Sequence, residues 1–232
     1  VGTILIQVVC ETLGVDSKCV KWMKPDTKLT PNSGTSTASR QTVFTGEATK
    51  VAALKLKAAL ENKSLLELDG QEFYGEYSGI TDKMGSSKKN PVSHVAYGFA
   101  TQVVVLNNDG KIEKIVAAHD IGRAINPINV EGQIEGGVVM GLGYALTEDY
   151  QLENSVPKAK FGTLGLFRST QVPEIKPILI EQNESDLAYG AKGVGEITCI
   201  PTAPAVQGAY YKLDGVFRTK LPLENTFYKK KK

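Results

Sequence analysis

Hydrophobic and polar positions alternate with two different periods along this chain, and the switch between them outlines the elements. Val1–Leu13 (VGTILIQVVCETL) carries apolar residues at helical spacing, and Gly14 stands where a helix ends, so a helix is expected over Thr3–Leu13. Lys18–Met23 is a short strand candidate, and Lys24–Thr37 turns to Pro, Asn, Ser, Thr and Gly, which is loop composition. A second helix is expected through Thr49–Leu60, capped by Ser36, Thr37 or Ser39, with Val51, Leu54, Ala58 and Leu60 as its buried stripe. Gly70–Ile80 alternates moderately around Phe73, Tyr74 and Tyr77, and Thr81–Pro91 is polar loop. Val95–Leu106 and Lys111–His119 read as a hairpin joined by Asn107-Asn-Asp-Gly110.

After that hairpin, Asp120–Pro127 leaves the sheet through turn chemistry. A helix is then expected over Val130–Leu146, with Gln133 in its first turn. Gly136, Gly137, Gly141 and Gly143 lie inside it, and each costs roughly 0.8–1 kcal/mol against alanine. Something must therefore approach that backbone closely, either a ligand or a neighbouring element. Thr147–Leu152 and Glu174–Glu181 are strand candidates, Ala203–Lys212 a helix, and Gly215–Leu221 a closing strand. Helices and hairpins interleave without βαβ regularity. The expected class is α+β, with mixed or antiparallel sheets, packed helices and two subdomains, 1–92 and 93–232.

The 232 residues can bury a real core, and 41% hydrophobic with 22% charged residues is ordinary for a globular protein. A net charge of +2 gives no field for nucleic acid, and the terminal lysines, Lys229–Lys232, read as a solvated tail. Cys10, Cys19 and Cys199 have no CxxC spacing, and His94 and His119 are the only histidines, so metal ligation by this chain's own side chains is not expected. With no apolar run of membrane-spanning length and no signal peptide, a reducing, cytoplasmic setting is expected. The start lacks an initiator Met and an N-cap and reads as part of something longer.

The densest candidate chemistry is Ala188–Ala205. Gly190, Gly193 and Gly195 crowd the approach to one carboxylate, Glu196, and apolar residues follow. Glycine lets backbone come close to a ligand. A glutamate in apolar company has its charged form disfavoured and its pKa raised, which is how a general base is tuned toward neutrality. A glycine-rich turn with a surface glutamate is the plainer alternative. Upstream, the small polar loop ending at Ser39 feeds a helix N-terminus, where free N–H groups and the helix dipole favour an anion; simple capping by the hydroxyls is the alternative there.

Three segments together resemble the molybdenum hydroxylases, the family of xanthine dehydrogenase, aldehyde oxidoreductase and nicotinate dehydrogenase. They are Thr30–Ser39 (TPNSGTSTAS); Ala118–Pro127 (AHDIGRAINP) with Gly132–Gly136 and Met140–Gly143; and Gly190–Glu196 (GAKGVGE). The resemblance runs over nearly the whole chain and matches the last part of the molybdopterin-binding subunit. It implies a molybdenum cofactor-binding fold and Glu196 as the base taking a proton from the metal's hydroxyl ligand during hydroxylation. It also implies cofactor contacts from Ala38, Ser39, Arg40, Gln41, Thr42, Gln133, Lys192, Gly193, Val194 and Gly195. The metal would be held by the pterin dithiolene, in a molybdopterin of the cytosine dinucleotide form. Iron–sulfur and FAD groups would sit on other domains or subunits, and the N-terminal half of the subunit would be a partner. The substrate would be an N-heteroaromatic (purine-like) compound or an aldehyde, with neither nucleic acid nor membrane as partner. The family's glycine–glutamine–glycine loop is not in this chain, and Ile197-Thr198 stands where xanthine-oxidising relatives have two prolines. A piece unable to turn over alone is therefore expected, and a non-catalytic scaffold for a cofactor-bearing partner is the competing reading.

Overall fold

The computed structural model describes residues 1–182 and 185–229, so Lys230–Lys232 of the basic tail lie outside the described residues. The chain divides into two compact units: residues 1–98, 121–126 and 181–193 form the first, and residues 99–120, 127–180 and 194–232 the second. No described helix is long and apolar enough to cross a membrane.

The first unit is built on two helices, α1 (Gly2–Leu13) and α2 (Gln41–Leu60). Gly14 ends α1 as expected: at φ 70° it takes the left-handed conformation that releases its N–H to the Cys10 carbonyl. Lys18–Met23 is not a strand. Asp16 instead accepts from the Lys18 N–H and caps a single 3₁₀ turn, Ser17–Cys19, after which the chain runs extended. The N-cap of α2 is Arg40, with no side-chain bond, so none of Ser36, Thr37 and Ser39 closes that helix. Its buried residues are Val43, Gly46 and Ala53, whereas Leu54 and Ala58 are exposed. The stripe is shifted because the helix starts earlier than expected and is covered by the extended segment 71–80. Gly75 there has no room for a side chain, since a Cβ would lie 2.0 Å from the Ala48 carbonyl. Tyr77 stacks edge-on against Phe44 at 5.3 Å. Burial alternates along 71–80 as in a strand, yet the segment pairs with no strand among the described residues.

The second unit is a three-stranded mixed sheet under two helices. β1 (Ala100–Leu106) pairs antiparallel with β2 (Ile112–Asp120), with Val103 opposite Val116. Asn107 folds the turn between them by accepting from the Asp109 and Lys111 N–H groups at 3.0 and 2.9 Å. The chain then forms α3 (Pro127–Leu146), beginning at Pro127, because a proline at the first helical position forfeits no hydrogen bond. After the short β3 (Leu152–Glu153) and β4 (Val156–Pro157), β5 (Glu174–Ile180) returns parallel to β2. α4 (Thr202–Asp214) follows and is closed by Gly215 at φ 72°. Ile115, Ala117, Ile134, Val138, Leu142 and Tyr210 anchor one continuous core between sheet and helices. The class is α+β, as expected. Two expected strands are not formed. Thr147–Leu152 contributes only the end residue of a two-residue pairing. Gly215–Leu221 is held instead by Arg218, which binds Asp214 and the carbonyls of Val216, Glu224 and Asn225.

Candidate functional site

In the first unit, Ala38 and Ser39 both take left-handed backbone conformations, φ 54° and 51°, immediately before Arg40 and α2. Non-glycine residues pay for that conformation, and it persists only where the surroundings over-determine it. Here the constraint is visible. Gly193 lies so close to Ser39 that an added Cβ would sit 1.7 Å from the Ser39 carbonyl oxygen. Two sequence motifs far apart in the chain are thus brought backbone to backbone. Lys192 is buried beside them and donates its N–H to the Ile121 carbonyl at 3.0 Å.

These residues line a cleft of about 270 Å³ with Thr37, Val43 and Gly79. The N–H groups of Gln41, Thr42 and Val43 open the helix without an intrahelical acceptor or a side-chain cap from Arg40, and of these three residues Val43 lines the cleft. The side chains are committed elsewhere: Gln41 accepts from Thr45, and Arg40 donates to the Ser33 carbonyl at 2.8 Å while lying over the Phe44 ring. What Ala38–Thr42 offer is therefore mainly backbone.

A second left-handed pair, Ala188 and Tyr189, supports the strand of chain that delivers Lys192. The Ala188 N–H donates to Glu47 of α2 at 2.6 Å, and Tyr189 Oη meets Thr12 Oγ1 of α1 at 2.7 Å. Gly122 admits the Gly190 carbonyl where a Cβ would be 2.0 Å away. Sequence reasoning missed Glu47, Thr12 and Tyr189, because none has a local signal; each acts through a partner more than a hundred residues away.

In the second unit, Val194 and Gly195 lead into a 3₁₀ turn, Glu196–Thr198. Glu196 is exposed, so the burial expected around it from its apolar sequence neighbours is not found. The turn is locked from beneath instead. Thr198 is buried, its Oγ1 donates to the Gly195 carbonyl at 2.7 Å, and its carbonyl accepts from Gln102 Nε2 at 3.0 Å. α3 meets it through Gly137, where a Cβ would lie 2.0 Å from Thr198 Oγ1, and one turn on through Gly141, 2.5 Å from Thr202 Cβ. Close helix packing therefore accounts for these two glycines. Gly143 is likewise filled by Glu148, whereas Gly136 faces open space.

Gln133 lies in the second turn of α3 rather than the first. It is exposed and precedes Gly137 by one turn on the face that meets Thr198. Gln102, His119 and Thr198 were not singled out from sequence for this role. Strand alternation alone places Gln102 and His119 on the core side, where a polar residue calls for an explanation. Burial holds the His119 imidazole below its ordinary pKa, opposed in part by backbone groups at Ala117 and Ile197.

The candidate residues thus fall into two groups: Ala38–Thr42 with Lys192 and Gly193 in the first unit, and Gln133 with Val194, Gly195 and Glu196 in the second. The sequence pattern of the molybdopterin cofactor-binding domain matches residues 1–73 and 64–173. The chain belongs to this family. It is 28% identical over 258 residues to a xanthine dehydrogenase molybdenum-binding subunit of Escherichia coli O157:H7, covering 95% of the chain and 34% of that protein. An aldehyde oxidoreductase of Megalodesulfovibrio gigas is 29% identical over 226 residues, covering 90% of the chain and 25% of that protein. Among solved structures, the aldehyde oxidoreductase of Desulfovibrio desulfuricans superposes with a TM-score of 0.76 at 28% identity, over 90% of the chain and 25% of that one. The chain therefore spans a quarter to a third of the relatives it matches, and these relatives are molybdenum oxidoreductases.

Proposed function

We propose that the chain is the catalytic portion of a molybdenum hydroxylase, with Glu196 as general base. Its substrate is an N-heteroaromatic, purine-like compound or an aldehyde, and the oxygen it inserts comes from water. The observation that carries the reading is the contact of Gly193 with the Ser39 carbonyl at the uncapped start of α2. It puts a cleft beside the N-terminus of a helix that no side chain caps, which suits the anionic groups of a pterin dinucleotide. The residues present therefore fit the cofactor. Ala38, Ser39, Arg40, Gln41 and Thr42 would hold it from one side and Lys192 and Gly193 from the other, with Gln133, Val194 and Gly195 as its remaining contacts.

When bound, the molybdenum centre supplies the two-electron oxidation and the activated oxygen. The protein's part is acid–base chemistry and placement. A Glu196 carboxylate oxygen accepts the proton released as water-derived oxygen is delivered, and the turn fixes where that oxygen sits. The reading includes the cytosine dinucleotide form of the cofactor. Iron–sulfur and FAD groups are carried on other domains or subunits, and the rest of the molybdenum-binding subunit is needed for turnover, so the isolated chain is inactive. A reducing, cytoplasmic setting agrees with Cys10, Cys19 and Cys199 being free thiols.

The test is Glu196→Gln in the complete complex, with molybdenum and pterin measured beside turnover. Unchanged cofactor content with kcat down by roughly 10²–10⁴-fold is expected of a positioned base. Undiminished turnover removes the base assignment. A well-folded wild-type complex lacking both molybdenum and pterin removes the hydroxylase reading and leaves an assembly scaffold.

A further inference from the structure

β1 and β2 turn their apolar residues toward the helices, and that pattern is broken at two inward positions, Gln102 and His119. Gln102 pairs across with Ala117, which makes His119 its diagonal neighbour on the same face. Both are buried, His119 completely, and Thr202 at the start of α4 is fully buried as well. Gln102 Oε1 and Thr202 Oγ1 find no hydrogen-bond partner among the described residues, and the two ring nitrogens of His119 face the backbone of Ala117 and Ile197 without a hydrogen bond of normal geometry. Native interiors leave few such atoms, and each calls for a reason. They belong to three residues that border the 196–199 turn: Gln102 and His119 on the sheet side and Thr202 where the chain leaves it.

Their neighbours make the location specific. Gln102 Nε2 donates to the Thr198 carbonyl at 3.0 Å, and the backbone of Ile197 lies by His119. The Thr202 N–H takes the Cys199 carbonyl at 3.2 Å, while the Cys199 N–H takes that of Glu196 at 3.2 Å. If this region served packing alone, apolar side chains of similar volume would fill it without unpaired atoms. A turn three residues long has little stiffness of its own. The bond from Gln102 ties its far end to β1, and Gly137 lets α3 close over it.

We propose that Gln102, seated with His119 and Thr202 in this buried polar cluster, is a positioning residue for the Glu196 carboxylate. The inference rests on Glu196 being the general base. It acts through Thr198 and touches neither substrate nor cofactor.

The experiment compares Gln102→Leu, Glu196→Gln and the double variant in the cofactor-loaded complex. Gln102→Leu lowers kcat on the order of tenfold to a hundredfold, the scale of a small displacement of a reacting group, with KM and molybdenum content unchanged. In the Glu196→Gln background the same substitution lowers kcat no further, because the two residues act as one unit. A kcat within about twofold of wild type for Gln102→Leu, or a full additional loss in the double variant, overturns the inference. Where Gln102→Leu fails to load cofactor, Gln102→Glu replaces it. Its carboxyl can donate to the Thr198 carbonyl only when protonated, so activity recovers on acidification, and a pH profile matching wild type overturns the inference. Hydrogen exchange supplies a readout independent of turnover. The amides of residues 196–199 exchange faster in either variant, and unchanged rates count against the inference. Glu196→Gln with full turnover defeats the base assignment itself, whereas an inactive Glu196→Gln beside a fully active Gln102→Leu defeats this inference alone.

Discussion

Both units are assembled from three pieces of chain, but the second closes a sheet over two helices around Ile115, Ile134, Val138 and Leu142, whereas the first buries little apolar surface. The buried apolar residues of the first are few and scattered: Val8, Val43, Ala53, Leu68, Ile121, Ala188 and Ala191. Many of its large ones, among them Met23, Leu29, Leu66, Ile80 and Met84, are exposed. What holds it is contact of backbone on backbone, at Gly75, Gly122 and Gly193, together with polar ties such as Glu47 to Ala188. A unit stabilised by apolar area loses stability gradually as area is removed, at about 25 cal/mol per Å². A unit stabilised by close approach fails at single positions where an atom is added.

The largest effect that separates the two is expected from Gly193→Ala. The new methyl meets a backbone carbonyl and cannot be accommodated by a rotamer change, so the Ser39 loop must move. Molybdenum and pterin content of the complex should collapse, while amide protection of Ile115 and Leu142 persists; retained cofactor would show that the loop is softer than its packing implies. Next comes Gly137→Ala. Alanine improves helix propensity by roughly 0.8–1 kcal/mol, but the clash with Thr198 costs typically 1–3 kcal/mol, so a net loss of up to about 2 kcal/mol is expected by denaturant titration. Gly136→Ala is the control: facing open space, it should stabilise α3 by up to about 1 kcal/mol.

The smallest effect is with pH and belongs to the second unit alone. His119 is held neutral by burial, so the unfolded chain binds the proton more readily. Stability from this residue is therefore complete above about pH 6.5 and falls as pH drops through the lowered native value. A plot of Tm against pH should slope downward on the acid side, and His119→Leu should flatten that slope.

Legibility in the sequence follows the same division. The hairpin around Asn107–Gly110, the α3 helix and the β5 strand were readable because period, turn residues and propensity agreed. Gly14 and Gly215 marked helix ends for the same reason. The alternation of 71–80 reflects an extended chain lying on α2, not a ladder. Ser36, Thr37 and Ser39 are good capping residues by type, yet Arg40 occupies the N-cap of α2, where the chain meets Gly193 at Ser39. The glycine frame and Glu196 were recognisable as motifs. The exposure of Glu196 and the support from Gln102 were not, since both depend on which strand lies beneath the turn.

That support bears on the order of assembly. β1 can pair with β2 as soon as both are made, because few residues separate them. β5 joins β2 only after α3 and the segment beyond it have been synthesised, and the Thr198 carbonyl is offered to Gln102 later still. The turn that carries the carboxylate proposed as base is consequently made only after the three strands and α3, and a chain released before residue 198 would own the whole sheet with α3 on it and no Thr198 carbonyl for Gln102 to hold.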